Sequence, residues 1–323
     1  MKMIIGGVFQ GKENYARKMF PDICFINGKN AGKDDILKAR GILGLQDFVR
    51  NLLEKEEDVN DLAGMLIRNN PDAVIVCDEI GYGIVPMDPF ERTYREAVGR
   101  ICTELARSSD QVIRIVCGIP EVIRDLTKDL TIHLIRHGKT AGNLEARYVG
   151  RRTDESLCAE GVRELESLGQ VEAKRIFVSP MRRCMESARI LFPGKKYIVV
   201  NGLEECDFGK FEYRNYKEMT GDPEYQAWID SGGTLPFPEG ESREEFPERC
   251  ISGFCRVVEQ CILEGVHSAA LVAHGGTIRS ILSTFEKSRK GFFDWNIENG
   301  GMISVKLSPA EWNKRNQVLA MLL

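Results

Sequence analysis

Short β-branched runs alternate with longer amphipathic stretches from one end of the chain to the other. That pattern predicts an α/β protein with largely parallel sheets. In the first half, strands are expected at 3–7, 23–27, 73–77 and 111–117, and helices over 34–40, 45–54, 59–69 and 89–107. Gly118-Ile119-Pro120 and a polar stretch over 124–129 then interrupt the pattern, and a fresh strand starts at Thr131. The seam falls near Leu126, which gives an expected first domain of 1–125 and a second of 126–323. In the second domain, strands at 131–135, 175–178 and 269–273 are each followed at once by residues able to do chemistry.

Composition narrows the picture only slightly. With 43% hydrophobic and 28% charged residues, the 323-residue chain has the balance of a folded globular protein. A net charge of -4 and a pI near 5.8 give nucleic acid no non-specific hold. No apolar run approaches the roughly 18 residues that would predict a membrane span. The apolar start gives way to Gly6-Gly7 too early for a signal peptide. Ten cysteines are scattered without a CxxC pair; Cys77 and Cys117 sit in apolar runs, and Cys250, Cys255 and Cys261 share one predicted helix. They are read as small hydrophobes in a reducing, cytoplasmic compartment rather than as disulfides or zinc ligands.

The chemistry concentrates at strand ends. The strand at 131–135 runs into Arg136-His137-Gly138-Lys139-Thr140, with Asn143 three residues on. The strand at 175–178 ends in Ser179-Pro180 and opens a helix bearing Arg182 and Arg183, and the strand at 269–273 ends in His274-Gly275-Gly276. Between them lies Leu203-Glu204-Glu205-Cys206-Asp207. In an open parallel sheet, ligands gather beyond the carboxyl ends of the strands, so two His-Gly strand ends with arginine and glutamate nearby form a candidate active site. His133 and His267 are read as packing and surface residues.

At these residues, from about Leu130 onward, the chain resembles the histidine phosphatase (phosphoglycerate-mutase-like) superfamily. Arg-His-Gly-x-Thr, Gly150 to Asp154 with Leu157 and Glu160-Gly161, Ser-Pro-x-x-Arg, the Glu205 segment, Glu239-Gly240-Glu241-Ser242 and His-Gly-Gly carry the resemblance in order. It implies a three-layer α/β/α domain that hydrolyses a small phosphate monoester through a phosphohistidine, without metal or other cofactor. It implies His137 as nucleophile, Arg136, Asn143, Arg183 and His274 as phosphoryl ligands, and Glu205 as proton donor, with Glu204 and Asp207 as neighbouring alternatives. Arg183 is preferred to Arg182 because it stands four residues after Ser179. Lys139 replaces the family's usual glutamate or glutamine and is expected to face solvent.

The first half carries a second resemblance. Residues 6–12 follow an apolar strand and nearly fit the phosphate-cradling loop G-x-x-x-x-G-K-[ST], with Gly6, Gly11 and Lys12 as candidate nucleotide-binding residues. Glu13 stands where the magnesium-holding hydroxyl belongs. From Val74 to Pro120, the run Cys77-Asp78-Glu79-Ile80-Gly81-Tyr82-Gly83-Ile84-Val85-Pro86 and Arg92-Thr93-Tyr94-Arg95-Glu96 resemble the adenosylcobinamide kinase and guanylyltransferase family, with the stretch from 21 to 71 rebuilt. That family's guanylylated histidine has no counterpart, since the first of the four histidines is His133. The first domain is therefore read as a degenerate P-loop domain kept for binding, regulation or scaffolding. Joined to a histidine phosphatase, it implies an α-ribazole-5'-phosphate phosphatase of adenosylcobalamin synthesis. A sugar phosphatase or phosphoglycerate mutase, and a nucleotide- or corrinoid-binding or bifunctional protein, are the alternatives; oligomeric state is not legible.

Overall fold

Near-continuous apolar runs make strands that must be buried on both faces, and the computed structural model, which describes residues 1–288 and 290–322, covers them with helices. The chain divides into two units, Met1–Thr127 and Lys128–Leu323. In the first, β1 (Lys2–Gly6), α1 (Lys12–Met19), β2 (Phe25–Asn27), α2 (Lys33–Lys38), β3 (Gly41–Leu43) and α3 (Leu45–Glu54) are followed by α4 (Leu62–Asn69), β4 (Val74–Asp78), α5 (Pro89–Ser108), β5 (Gln111–Val116) and β6 (Ile119–Asp125). The sheet order is β2-β3-β4-β1-β5-β6, parallel except for β6. Phe48, Leu66, Ile75 and Ile101 pack one face of this sheet, and Ile4, Ala16, Val76 and Ile115 the other. The long helix α5 starts sharply: Asp88 caps it by accepting from the Glu91 backbone N–H at 3.0 Å, and Pro89 follows at the first helical position.

Two strands of the first unit escape the sequence pattern. β3 has only three residues, too short to show a period. β6 contains Pro120, and its first five residues are all exposed, so neither alternation nor an apolar run marks it. It survives as an antiparallel edge strand, where a missing N–H does no harm.

The second unit holds β7 (Leu130–Arg136), α6 (Ala141–Leu144), α7 (Ala159–Ser167), β8 (Arg175–Val178), α8 (Arg182–Leu191), β9 (Ile198–Val199) and α9 (Pro223–Asp230). It continues with α10 (Glu245–Leu263), β10 (Ser268–Ala273), α11 (Gly275–Phe285), β11 (Met302–Leu307), α12 (Pro309–Asn313) and β12 (Ala320–Met321). The sheet runs β12-β11-β7-β10-β8-β9, with β7, β10, β8 and β9 parallel. Phe254, Val258, Ile278 and Leu282 pack one face; Leu165, Cys184, Ala188 and Leu191 pack the other. This is a three-layer α/β/α arrangement. The register pairs Arg136 with Ala273, so two strands remote in sequence deliver His137 and His274 side by side at their carboxyl ends.

Candidate active site

His137 leaves β7 with its backbone N–H bonded to the Ala273 carbonyl at 3.0 Å. Gly138 must follow, because a Cβ there would lie 2.7 Å from Leu165 and 3.1 Å from the Gly161 carbonyl. The turn brings the Gly138 carbonyl 2.7 Å from the His137 Nδ1. A carbonyl only accepts, so Nδ1 carries the proton and Nε2 keeps its lone pair. The side chain is 3% exposed. Burial, then the charges of Arg183 and Arg136, push its pKa well below the ordinary histidine value, against the opposing pull of the Gly138 carbonyl. The ring is therefore neutral at pH 7.

His274 caps α11 and stands edge-on to His137, with ring centroids 5.1 Å apart. Its Nδ1 accepts from Arg183 Nε at 3.3 Å and its Nε2 lies 2.8 Å from the Ser179 hydroxyl. Burial, with Arg183 next, also depresses its pKa well below the usual value. Arg183 is fully buried and donates onward to the carbonyls of Thr153 (2.7 Å) and Gly150 (3.1 Å). The Arg182 guanidinium instead donates to the Ser156 hydroxyl at 3.4 Å, while its backbone N–H donates to Asp154. Arg136 donates through Nη1 to the Ile297 carbonyl at 2.7 Å, yet its buried Nε has no partner among the described residues. An unsatisfied buried donor is costly, and a phosphoryl oxygen would satisfy it.

A cleft of about 460 Å³ opens on this corner, lined by Arg136, His137, Asn143 and Glu205. Arg183 and His274, which the motif resemblance also places on the phosphoryl group, do not line it; they are packed behind it. Asn143 Oδ1 accepts from the Thr140 N–H at 3.2 Å and from Asn299 Nδ2 at 3.1 Å, which leaves its amide nitrogen to face the cleft. Glu205 accepts from the backbone N–H groups of Cys206 (3.0 Å) and Gly276 (3.1 Å). Its neighbours are engaged elsewhere: Glu204 with Arg249, and Asp207 with Arg152. Lys139 turns to Glu160 and Glu164, 2.6 Å from each, and leaves the cleft. His133, on β7, meets Ser304 of β11 at 2.7 Å, while His267 is half-buried and its Nδ1 has no partner among the described residues. Among the described residues, no cluster of His, Cys, Asp and Glu could hold a metal ion.

Sequence reading missed Asn299, which also donates to the His137 carbonyl at 3.2 Å. The only local signal was Asn299-Gly300-Gly301, a turn motif with no chemistry of its own. It also missed a run of aromatic residues along the cleft.

In the first unit, Lys12 is 6% exposed. Its ammonium donates to the Gly7 carbonyl and pairs with Asp78 at 2.6 Å. The Gln10 carbonyl accepts from Gly118 N–H at 3.0 Å, so the β5–β6 turn closes on the loop. Glu13 pairs with Arg17 along α1.

Residues 132–318 match the histidine phosphatase superfamily (branch 1), and the chain belongs to that superfamily, whose members are phosphatases and mutases. Residues 44–123 match the cobinamide kinase / cobinamide phosphate guanyltransferase family; the match begins after the 6–12 loop, inside the stretch read as rebuilt. A 2,3-bisphosphoglycerate-dependent phosphoglycerate mutase of Xanthobacter autotrophicus is 25% identical over 56% of this chain and 93% of its own length. A broad-specificity phosphatase of Saccharomyces cerevisiae is 27% identical over 47% of this chain and 69% of its own length. The crystal structure of the α-ribazole phosphatase from Shigella flexneri superposes with a TM-score of 0.52 at 19% identity, covering 60% of this chain and 95% of that one. At that identity the likeness speaks for the fold alone. No helix among the described residues is long and apolar enough to cross a membrane.

Proposed function

We propose that the second unit hydrolyses a phosphate monoester through a phosphohistidine on His137, and that the ester is α-ribazole 5'-phosphate. The observation that carries the mechanism is a buried, neutral imidazole whose free Nε2 belongs to a ring held by the Gly138 carbonyl, beside a guanidinium with an unpaired buried N–H. Phosphoryl transfer has a dispersed anionic transition state, so catalysis is mainly positioning and charge stabilisation. Nε2 attacks phosphorus in line; Arg136 Nε and the Asn143 amide donate to the phosphoryl oxygens. Arg183, behind the reacting ring, adds a second cation, and neutral His274 packs edge-on against the His137 ring. Glu205 protonates the leaving oxygen and then takes a proton from the water that opens the phosphohistidine.

The substrate rests on the company the domain keeps: a cobinamide-kinase-like region in the same chain, and the fold shared with an α-ribazole phosphatase. Ten free cysteines support a reducing compartment such as the cytoplasm. We assign the first unit a binding or scaffolding role, since Lys12 is already engaged by Asp78 and Gly7. A second reading, turnover of phosphoglycerate or of assorted sugar phosphates, takes its support from the mutase and broad-specificity relatives. Phosphate release from α-ribazole 5'-phosphate beside a panel of phosphate esters, with EDTA present, separates the readings. Preference for the ribazole ester together with an acid-labile phosphoenzyme on His137 is the expected result. Turnover of the other esters alone keeps the mechanism and removes the substrate.

A further inference from the structure

The part of the cleft beyond the phosphoryl corner is built from rings. Tyr148, Phe208, Trp228 and Phe237 line it, as do Phe292 and Phe293. Trp228 stacks on Phe237 with centroids 5.0 Å apart and planes 27° from parallel. Phe208 braces this pair edge-on, 5.0 Å from Phe237 and 5.1 Å from Tyr148.

Phe208, Phe237 and Phe292 also pack on a small core of Cys206, Phe246 and Cys250, but these rings are not spent wholly on it. α9, which carries Trp228, has no fully buried side chain at all, and Trp228, Phe237, Phe208 and Tyr148 are each only half-buried. A helix that packs its apolar face inward normally buries several residues outright. Here the indole and phenyl surfaces are left partly open to the cleft instead. Among the described lining residues, Glu205 is the sole carboxylate, and it is already placed at the phosphoryl corner. Arg147, Arg243 and Arg279, with Ser242 and Ser283, line the cleft too, so the wall combines π-faces with basic and hydroxyl side chains. The rings suit a flat ring system, which can lie against their faces.

We propose that Trp228 and Phe237, braced by Phe208 and Tyr148, are the specificity-determining surface of this site: they stack a planar, uncharged aromatic base carried by the sugar phosphate whose phosphoryl group His137 receives. This inference rests on the phosphatase reading above and adds the feature of the leaving group that the protein selects.

The test compares two esters that share a 5-phosphorylated ribose, α-ribazole 5'-phosphate with a base and ribose 5-phosphate without one. kcat/KM is measured for wild type, Trp228→Ala, Trp228→Phe and Ile229→Ala, the last at an exposed neighbour on the same helix. Binding of both esters to the His137→Ala protein is measured by calorimetry. Base–aromatic stacking leads us to expect a wild-type preference of at least about ten-fold for the ester with the base. Trp228→Ala reduces that preference on the order of ten-fold through KM, Trp228→Phe restores part of it, and Ile229→Ala keeps it. Equal handling of the two esters by wild type, or a parallel loss on both in Trp228→Ala with no change in their ratio, overturns the proposal. If wild type turns over neither ester, it is the phosphatase reading that fails. The ratio of the two binding constants on His137→Ala protein then decides the stacking proposal by itself.

Discussion

The two units carry the same local design and finish it differently. In each, a central parallel strand ends in glycine and a basic side chain, at the point in an open sheet where ligands bind. In the first unit the cation is answered from within, because Asp78 and the Gly7 carbonyl hold Lys12. In the second, the buried Nε of Arg136 has no partner among the described residues, and His137 beside it is kept neutral. A strand-end cation becomes a site for an anion only when the fold withholds its internal partner. Sequence motifs report the cation; they do not report the partner.

The largest break in this comparison is at His137, the proposed nucleophile. His137→Ala is expected to lower phosphate release by on the order of 10³-fold or more, as loss of a covalent nucleophile does. Lys12→Ala should leave the same assay within about two-fold, because its charge is settled inside the first unit. A parallel fall in both variants would show that the two sites work as one. Arg136→Ala should cost about 10²-fold in kcat/KM, the usual effect of removing one donor to a developing oxyanion; Arg136→Lys, lacking the Nε–H, should recover little of it.

Asp78→Asn sharpens the other side. It leaves a buried ammonium without its counter-charge, so the first unit should lose about 3 kcal/mol of stability. All three tryptophans lie in the second unit, so urea unfolding followed by tryptophan fluorescence should barely move. The circular dichroism transition, which sees both units, should shift to lower urea. Coincident shifts by both probes would mean that the units unfold as one.

The smallest effects concern pH. Both His137 and His274 have pKa values held well below the ordinary value of 6.5. The unfolded chain therefore takes up protons that the folded chain refuses once pH falls below about 6.5. Stability must fall with falling pH in that range, by up to about 1.4 kcal/mol per pH unit for each histidine. His274→Asn should flatten the slope of melting temperature between pH 6.5 and 5. Turnover should also hold steady through pH 6.5 on the acid side rather than halving there, since the nucleophile stays neutral. A kcat profile with a midpoint at an ordinary histidine value would contradict the buried geometry.

What was legible in the sequence was whatever lay within a few residues of a strand end. Arg136, His137 and His274 announce themselves because strand, glycine and charge are contiguous. Glu205 is proposed only through its motif, and what sets it apart from Glu204 and Asp207 is the positions of Arg249 and Arg152, which come from other segments. Asn299 and the cleft rings were illegible for the same reason. Asn299 acts on His137 from a loop far along the chain, and Trp228 looks like any helix residue until Phe237 lies against it. The register of β7 on β10 was not readable at all, although it alone makes the two histidines neighbours. In the first unit, β6 was hidden by exposure and by Pro120, since a strand with no buried face leaves no period to detect.

That register also bears on how the protein ages under heat. The separation of His137 from His274 is set by the hydrogen-bond ladder between β7 and β10, whose inward residues Leu134, Ala269 and Leu271 are completely buried. Amides in such a ladder exchange with solvent only when the whole unit opens. α9, with nothing fully buried, belongs to the opposite extreme and should open first. On warming, selectivity among substrates should therefore fade while the reacting pair is still intact, and turnover itself should vanish only with the central sheet.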